Sequence, residues 1–415
     1  MRTGLQIFID KKIGPAFNLV LYTFVRITGK ILRIDHSLNK PFRRIVICKY
    51  KGLGSIVQAS ALISTLKKNY PNAEILFLST TGNKGILNFY RNYINDDILI
   101  DDGSAFKLFK TTFSAILKLW KFKPEIFIDL EVYSNFSTFI CTISAAKNRF
   151  GFYKSDKDYR TGLFTHLMYY NIKAPLSEIY LQMARLLPIN QIDHKLIFPE
   201  SNFETELHLT QILTADGYAG QEFIVINPNA SDLRLERRWP KNSYNEIIKQ
   251  LRIKFPEISI ILVGNKAETA YVNSIYTDFS TDNFIINSSG KLSLAELVTL
   301  ISKAKIVITN DTGPLHISLS LNKTTIGLFG PCSPSQYGQM ETCTPIYENV
   351  YCSPCVHEFM QPPCNGDNQC MKNISVKQVM STTEKLICNE KPVAKESLIN
   401  YQTNNKALGY IQNRN

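Results

Sequence analysis

The sequence predicts two successive α/β domains, each assembled from parallel βαβ units. Three observations carry this. Short apolar strands alternate with amphipathic helical stretches at a steady rhythm, once over residues 44–130 and again over 223–329. The composition, 44% hydrophobic and 20% charged, is that of an ordinary globular chain and excludes disordered and collagen-like classes. The 415 residues suffice for two or three domains with separate cores.

The first element is a basic amphipathic segment over residues 1–43. Residues 1–44 hold nine basic side chains against two acids, Asp10 and Asp35, a large share of the chain's net +12. Phe17, Val20, Leu21, Phe24, Ile27, Ile31 and Ile34 recur at spacings of three and four, so they share one face of a helix. Arg26, Lys30 and Arg33 form a basic strip on another face. Such a helix can lie in the headgroup region of an anionic membrane. Packing on the protein's own body is the alternative. The longest apolar stretch, residues 13–25, is too short to span a bilayer, and no small-x-small cleavage site follows it.

The first α/β domain is expected over residues 44–195. Strands are expected at 44–49, 74–79, 98–100 and 125–130, with a helix after the glycine turn at 52–54. The second domain is expected over 196–390, with strands at 223–227, 258–263, 283–286, 305–309 and 324–329. Ser293 and Glu296 make a capping box for one of its helices. Residues 391–415 are polar and read as a tail.

Ligands of open parallel sheets bind at the carboxyl ends of strands. Three strand ends carry suitable chemistry. In Gly52-Leu53-Gly54-Ser55 the glycines let a backbone approach a ligand, and a helix follows. Position 57 is Val, so the pattern is no dinucleotide fingerprint, and a plain tight turn is the alternative. In Asn310-Asp311-Thr312-Gly313-Pro314-Leu315-His316 a strand runs into a helix with proline in its first turn. Thr312 and Gly313 aim donors at an anion, His316 lies in the same turn, and Asp311 suits sugar hydroxyls; an empty capped helix is the alternative. The third, Asn227 to Lys241, places Arg234, Arg237 and Arg238 after a strand, and guanidinium forks suit a diphosphate without a metal.

These blocks resemble glycosyltransferase family 9, the heptosyltransferase-like enzymes of bacterial envelope glycan synthesis. The resemblance rests on RIVICKYKGLGSIVQAS, INPNASDLRLERRWPKNSY, NDTGPLH with GLFGP, and the Cys-rich stretch at 352–371. It implies the GT-B fold, two Rossmann-like doubly wound domains facing across a cleft. It also implies a nucleotide-diphospho-sugar donor, typically ADP-heptose, on the second domain, and a lipid-linked saccharide acceptor on the first. The implied reaction is a metal-independent inverting transfer, with the enzyme peripheral on the cytoplasmic side of the inner membrane. By this resemblance Arg237 faces the donor diphosphate, Arg238 is its neighbour, Glu268 lies near the nucleoside, and Asp311, Thr312, Gly313 and His316 form the donor loop. Gly52 and Gly54 belong to the acceptor-side loop.

The sequence departs from the family at Ser55, where many relatives carry the aspartate that is the usual candidate base. A serine is no base at neutral pH without activation. The next acids at a strand's end are Asp129 and Glu131, of which Glu131 is preferred because Asp129 can still belong to the strand. Capping a loop is the alternative for both.

Cys352, Cys355, Cys364 and Cys370 gather four of the nine cysteines within nineteen residues. Four thiolates can hold a structural zinc, with paired disulfides or free thiols as alternatives, and catalysis needs no cofactor. Nucleic-acid binding is not expected, because the charge concentrates on the amphipathic segment and no aromatic-basic reader is present. A catalytically impaired scaffold and a nucleotide-sugar epimerase remain as alternative functions.

Overall fold

The computed structural model describes residues 12, 14–32, 34–132, 134–154, 160–198, 202–230, 234–338, 340–356, 362–388 and 410–412. The chain divides into two compact units. The first comprises residues 1–172, 176–196 and 400–415, the second 173–175 and 197–399.

The first unit begins with helix α1 (Gly14–Leu32), then β1 (Arg44–Cys48), α2 (Leu53–Gln58), α3 (Ser60–Asn69), β2 (Glu74–Thr80), α4 (Lys84–Asn88) and β3 (Asp96–Ile100). It continues with α5 (Ala105–Phe122), β4 (Ile126–Asp129), α6 (Asn135–Ile143), β5 (Asn148–Tyr153), β6 (His166–Tyr169) and α7 (Leu176–Arg185). The second holds α8 (Phe203–Ala215), β7 (Phe223–Asn227), α9 (Lys241–Lys254), β8 (Ser259–Leu262), α10 (Thr269–Tyr276), β9 (Ile285–Asn287) and α11 (Leu294–Lys303). After these come β10 (Ile306–Asn310), α12 (Gly313–Ser320), β11 (Thr325–Phe329), α13 (Pro334–Tyr337), β12 (Cys343–Tyr347), α14 (Gln369–Lys372) and α15 (Val376–Ile387). A last strand, β13 (Tyr410–Gln412), returns to the first unit. It lies inside the stretch expected as a tail; the rest of that stretch is outside the described residues.

The first sheet runs β13-β6-β5-β4-β1-β2-β3, parallel throughout except for β13, which pairs antiparallel with β6. The second runs β12-β11-β10-β7-β8-β9 and is wholly parallel. The central strands β1, β4, β7 and β10 are apolar on both faces because helices cover both, so their sequences read as unbroken apolar runs. One core joins Ile224, Ile226, Ile260, Leu262 and Ile308 with Trp239, Tyr244 and Met371. Another joins Val46, Phe127, Leu119, Ile140 and Leu167. Within each sheet the parallel strands place their following loops at one edge, where β4, β7 and β10 end in Asp129, Asn227 and Asn310. The capping box forms as expected: Ser293 Oγ accepts from Glu296 N, and Glu296 Oε2 accepts from Ser293 N at 2.6 Å.

Helix α1 departs from the usual arrangement. An amphipathic helix normally turns its apolar stripe inward. Here the polar Asn18 is buried, its amide donating to Asn135 Oδ1 at 2.9 Å, and Leu21 and Tyr22 pack against the core. Gly162, at φ +101°, lies against Tyr22; a Cβ there would stand 2.3 Å from the ring. Phe17, Val20, Phe24, Ile27, Ile31 and Ile34, the rest of the expected stripe, are 41–73% exposed. Of the expected basic strip, Arg26 is exposed. Arg33 lies outside the described residues, as does the Lys30 side chain.

Candidate functional site

The second unit carries a cationic cluster where β7 and β10 end. β10 closes with Asn310, buried and bonded on every side. Its Oδ1 accepts from Trp239 N at 3.2 Å and Tyr244 Oη at 3.0 Å, and its Nδ2 donates to Asn229 O at 2.9 Å. One amide thus ties the arginine loop to the start of α12. Asn227, ending β7, donates to Thr309 Oγ1 at 3.0 Å and Thr312 Oγ1 at 2.8 Å, which fixes Thr312 as the N-cap of α12. Pro314 occupies the first turn, where its missing N–H costs nothing.

Arg237 reaches this helix start from 74 positions away in sequence. Its Nη1 donates to Asp311 O at 3.0 Å and lies 3.7 Å from Asp311 Oδ2. His316 Nε2 stands 3.6 Å from Asp311 Oδ1, and its ring meets Tyr337 edge-on. Burial works to raise the Asp311 carboxyl, but His316 and the Arg237 charge outweigh it and hold it at about 2. Asp311 is therefore a buried carboxylate placed between a guanidinium and an imidazole. Arg238 turns elsewhere, its guanidinium 4.0 Å above the Tyr271 ring on α10. Glu268 is the N-cap residue of α10, and its Oε2 accepts from Asn265 N at 2.8 Å. The residues expected on the donor side thus fall into two groups: Arg237, Asp311, Thr312, Gly313 and His316 together, and Arg238 and Glu268 at α10.

In the first unit Gly52, at φ +89°, turns the chain from β1 into α2, and Gly54 is buried in the first turn of that helix. Ser55 is half-buried beside the Tyr180 hydroxyl. Glu131 clamps the loop. Its Oε1 accepts from Tyr50 N at 2.8 Å and Lys51 N at 3.1 Å and pairs with Lys49 Nζ at 2.9 Å. Burial acts to raise its pKa, but Lys49 and the two amides bring it below the ordinary value. Asp129 ends β4, fully buried. Its Oδ2 accepts from Ser137 Oγ at 2.7 Å, its Oδ1 from Glu131 N at 3.0 Å, and the buried Arg160 stands 3.7 Å away. Burial prevails there and pushes the carboxyl up to about 6.

Cys352, Cys355, Cys364 and Cys370 line one cavity of about 190 Å³. All are free thiols. Burial, foremost, and the neighbouring thiols push Cys370 up to about 11. Among the described residues no three or more His, Cys, Asp or Glu side chains close around a common metal position.

The model of glycosyltransferase family 9 (heptosyltransferase) matches residues 128–364, more than half of the chain. The chain belongs to this family. It is similar to a lipooligosaccharide heptosyltransferase 2 of Campylobacter jejuni, with 26% identity over 348 residues, covering 81% of this chain and 96% of that protein. Among solved structures it resembles the family 9 glycosyltransferase of Veillonella parvula, with TM-score 0.68, 18% identity, and coverage of 86% of this chain and 100% of that one. The Escherichia coli ADP-heptose LPS heptosyltransferase II follows, with TM-score 0.66, 19% identity, and coverage of 83% and 98%. The fold is the GT-B fold, and the family 9 chain is a glycosyltransferase.

Three partners of the family 9 site have no signal in the residue pattern. Lys49 follows β1 and shows its role only through Glu131. Arg160 lies outside every motif read from the sequence. Tyr180 belongs to α7, far in sequence from Ser55. Among the described residues no helix is long and apolar enough to cross a membrane.

Proposed function

We propose that this glycosyltransferase transfers a heptose from ADP-heptose to a lipid-linked saccharide of the bacterial envelope, such as a lipopolysaccharide core. The reaction is an inverting, metal-independent displacement. The acceptor hydroxyl attacks the anomeric carbon, the bond from that carbon to the diphosphate oxygen breaks, and ADP leaves. Negative charge builds on the diphosphate as it departs. Arg237 and the N–H groups at the start of α12 meet that charge, because a guanidinium and a helix N-terminus both favour an anion. Asp311 keeps Arg237 and His316 aimed. The observation carrying this reading is the Arg237–Asp311–His316 group at the head of α12 in a family 9 chain.

The acceptor proton goes to Glu131. Its Oε1 is spent on the clamp, which leaves Oε2 for the hydroxyl, and its low pKa keeps it ionised at neutral pH. Asp129 is too enclosed and the neutral Ser55 hydroxyl too weak a base to compete. A structural zinc on Cys352, Cys355, Cys364 and Cys370 completes the proposal; the four thiols line one cavity without closing around a common point, so they would have to draw together to hold the ion, which takes no part in transfer. The lipid-linked acceptor places the enzyme on the cytoplasmic face of the inner membrane, with the outward stripe of α1 against it.

The experiment is turnover of a nucleotide-sugar panel with and without a lipid acceptor. ADP release from ADP-heptose that requires the acceptor is expected. Donor turnover without acceptor indicates an epimerase, and no turnover with any donor indicates a scaffold.

A further inference from the structure

Helix α5 presents an apolar row that is exposed among the described residues. Phe106, Phe109, Phe113, Leu117 and Trp120 are 47–75% exposed along eighteen residues of helix. At 3.6 residues per turn these five positions fall within about 80° of arc. The opposite face is the one that packs, through Leu108, Ala115, Leu119 and Phe122. The row is therefore a second stripe on a helix whose core-facing stripe is already satisfied. Trp120 is anchored, its Nε1 donating to Ile143 O at 2.7 Å, while about half of its surface stays exposed.

Charge says what the row faces. The helix AFKLFKTTFSAILKLWKF has no acid. Lys107, Lys110, Lys118 and Lys121, all exposed, lie on one flank of the row. Aromatic side chains flanked by lysines match an anionic bilayer surface, where rings enter the headgroup boundary and ammonium groups meet lipid phosphates. A second copy of the chain fits less well, since a two-fold contact through this face brings the same lysines against each other.

We propose that α5 is a membrane-docking helix for anionic lipid, separate from α1. It needs neither donor nor acceptor, so it can be read without the transfer reaction. The two helices then give the unit two lipid contacts, and linked contacts bind far more tightly than either alone.

The chain has two tryptophans, and Trp239 is fully buried in the second unit. Trp120 is therefore a built-in reporter. The full-length protein is mixed with vesicles of phosphatidylglycerol and phosphatidylcholine carrying brominated acyl chains. The expected result is quenching of Trp120, much weaker with phosphatidylcholine alone. Phe106→Ser/Phe109→Ser/Phe113→Ser should weaken vesicle partition on the order of a hundredfold. Lys110→Gln and Lys118→Gln should each weaken it roughly fivefold. All these side chains are exposed, and an unchanged melting temperature confirms folding. Binding through α1 with Trp120 unquenched overturns the proposal and leaves the lipid contact of α1 intact. A lipid-independent dimer that the triple serine variant dissolves also overturns it, by giving the row to a second copy.

Discussion

Glu131→Gln separates the two tasks the structure gives this residue. The amide keeps an oxygen for Tyr50 N and Lys51 N, so the β1 loop stays tied. It removes the charge facing Lys49, whose side chain is 9% exposed at 2.9 Å. Stranding one member of so enclosed a pair costs about 3 kcal/mol. Lys49→Met strands the carboxylate at similar cost, and the double variant should recover much of the loss, because it removes both charges. Activity should not follow this symmetry. A lost general base lowers kcat by about a hundredfold to ten-thousandfold with little change in donor KM. Lys49→Met keeps the carboxylate and should lose no more than about tenfold. Urea melts give the stability terms; acceptor-dependent ADP release gives the rates. If Glu131→Gln stays within tenfold of wild type while Ser55→Ala loses most activity, the assignment of the base is wrong.

Further outcomes follow from other sites. The Asp311 carboxyl sits at about 2 against an ordinary 3.8, so its ionised form stabilises the fold by about 2 kcal/mol. A depressed acid contributes fully above its unfolded pKa. The cost of Asp311→Asn in denaturant melts should be full at pH 7 and shrink as the pH falls from 3.8 towards 2; a cost that does not change with pH contradicts the pairing. Gly162→Ala combines a φ of +101° with a Cβ 2.3 Å from Tyr22, so it should dislodge α1 at about 2 kcal/mol, read as a lower Tm and faster proteolysis near residue 14. Metal analysis of protein grown with zinc should find one ion per chain, lost in Cys352→Ser/Cys355→Ser, while a chelator leaves kcat unchanged at temperatures where the chain is folded. Turnover that stops with the chelator and returns with a divalent cation contradicts metal-independent transfer.

What the sequence made legible follows from which forces are local. β7 was readable to the residue, because a doubly covered strand has to be an apolar run. β5 was not: NRFGFY contains Arg149, which is buried only because its guanidinium donates to the carbonyls of Leu163 and Ala146. β12 hides behind Pro345, tolerated because the strand lies at the sheet edge. β13 pairs across more than two hundred positions, which no local pattern announces. In the site, the Asn310–His316 block was readable because it is contiguous. That Arg237 joins it while Arg238 stacks on Tyr271 depends on Asn310 pinning the loop at Trp239. The periodicity of α1 was plain, yet it marks the outward face; the body holds the helix by Asn18 and Tyr22 instead.

The central claim is that Arg237 and the head of α12 hold the donor's diphosphate. Calorimetry of ADP and UDP against wild type and Arg237→Ala tests it most directly. The account predicts that ADP binds more tightly than UDP, and that the substitution weakens ADP by about tenfold to a hundredfold, the worth of a charge-assisted hydrogen bond. Equal ADP affinity in the two proteins would contradict it.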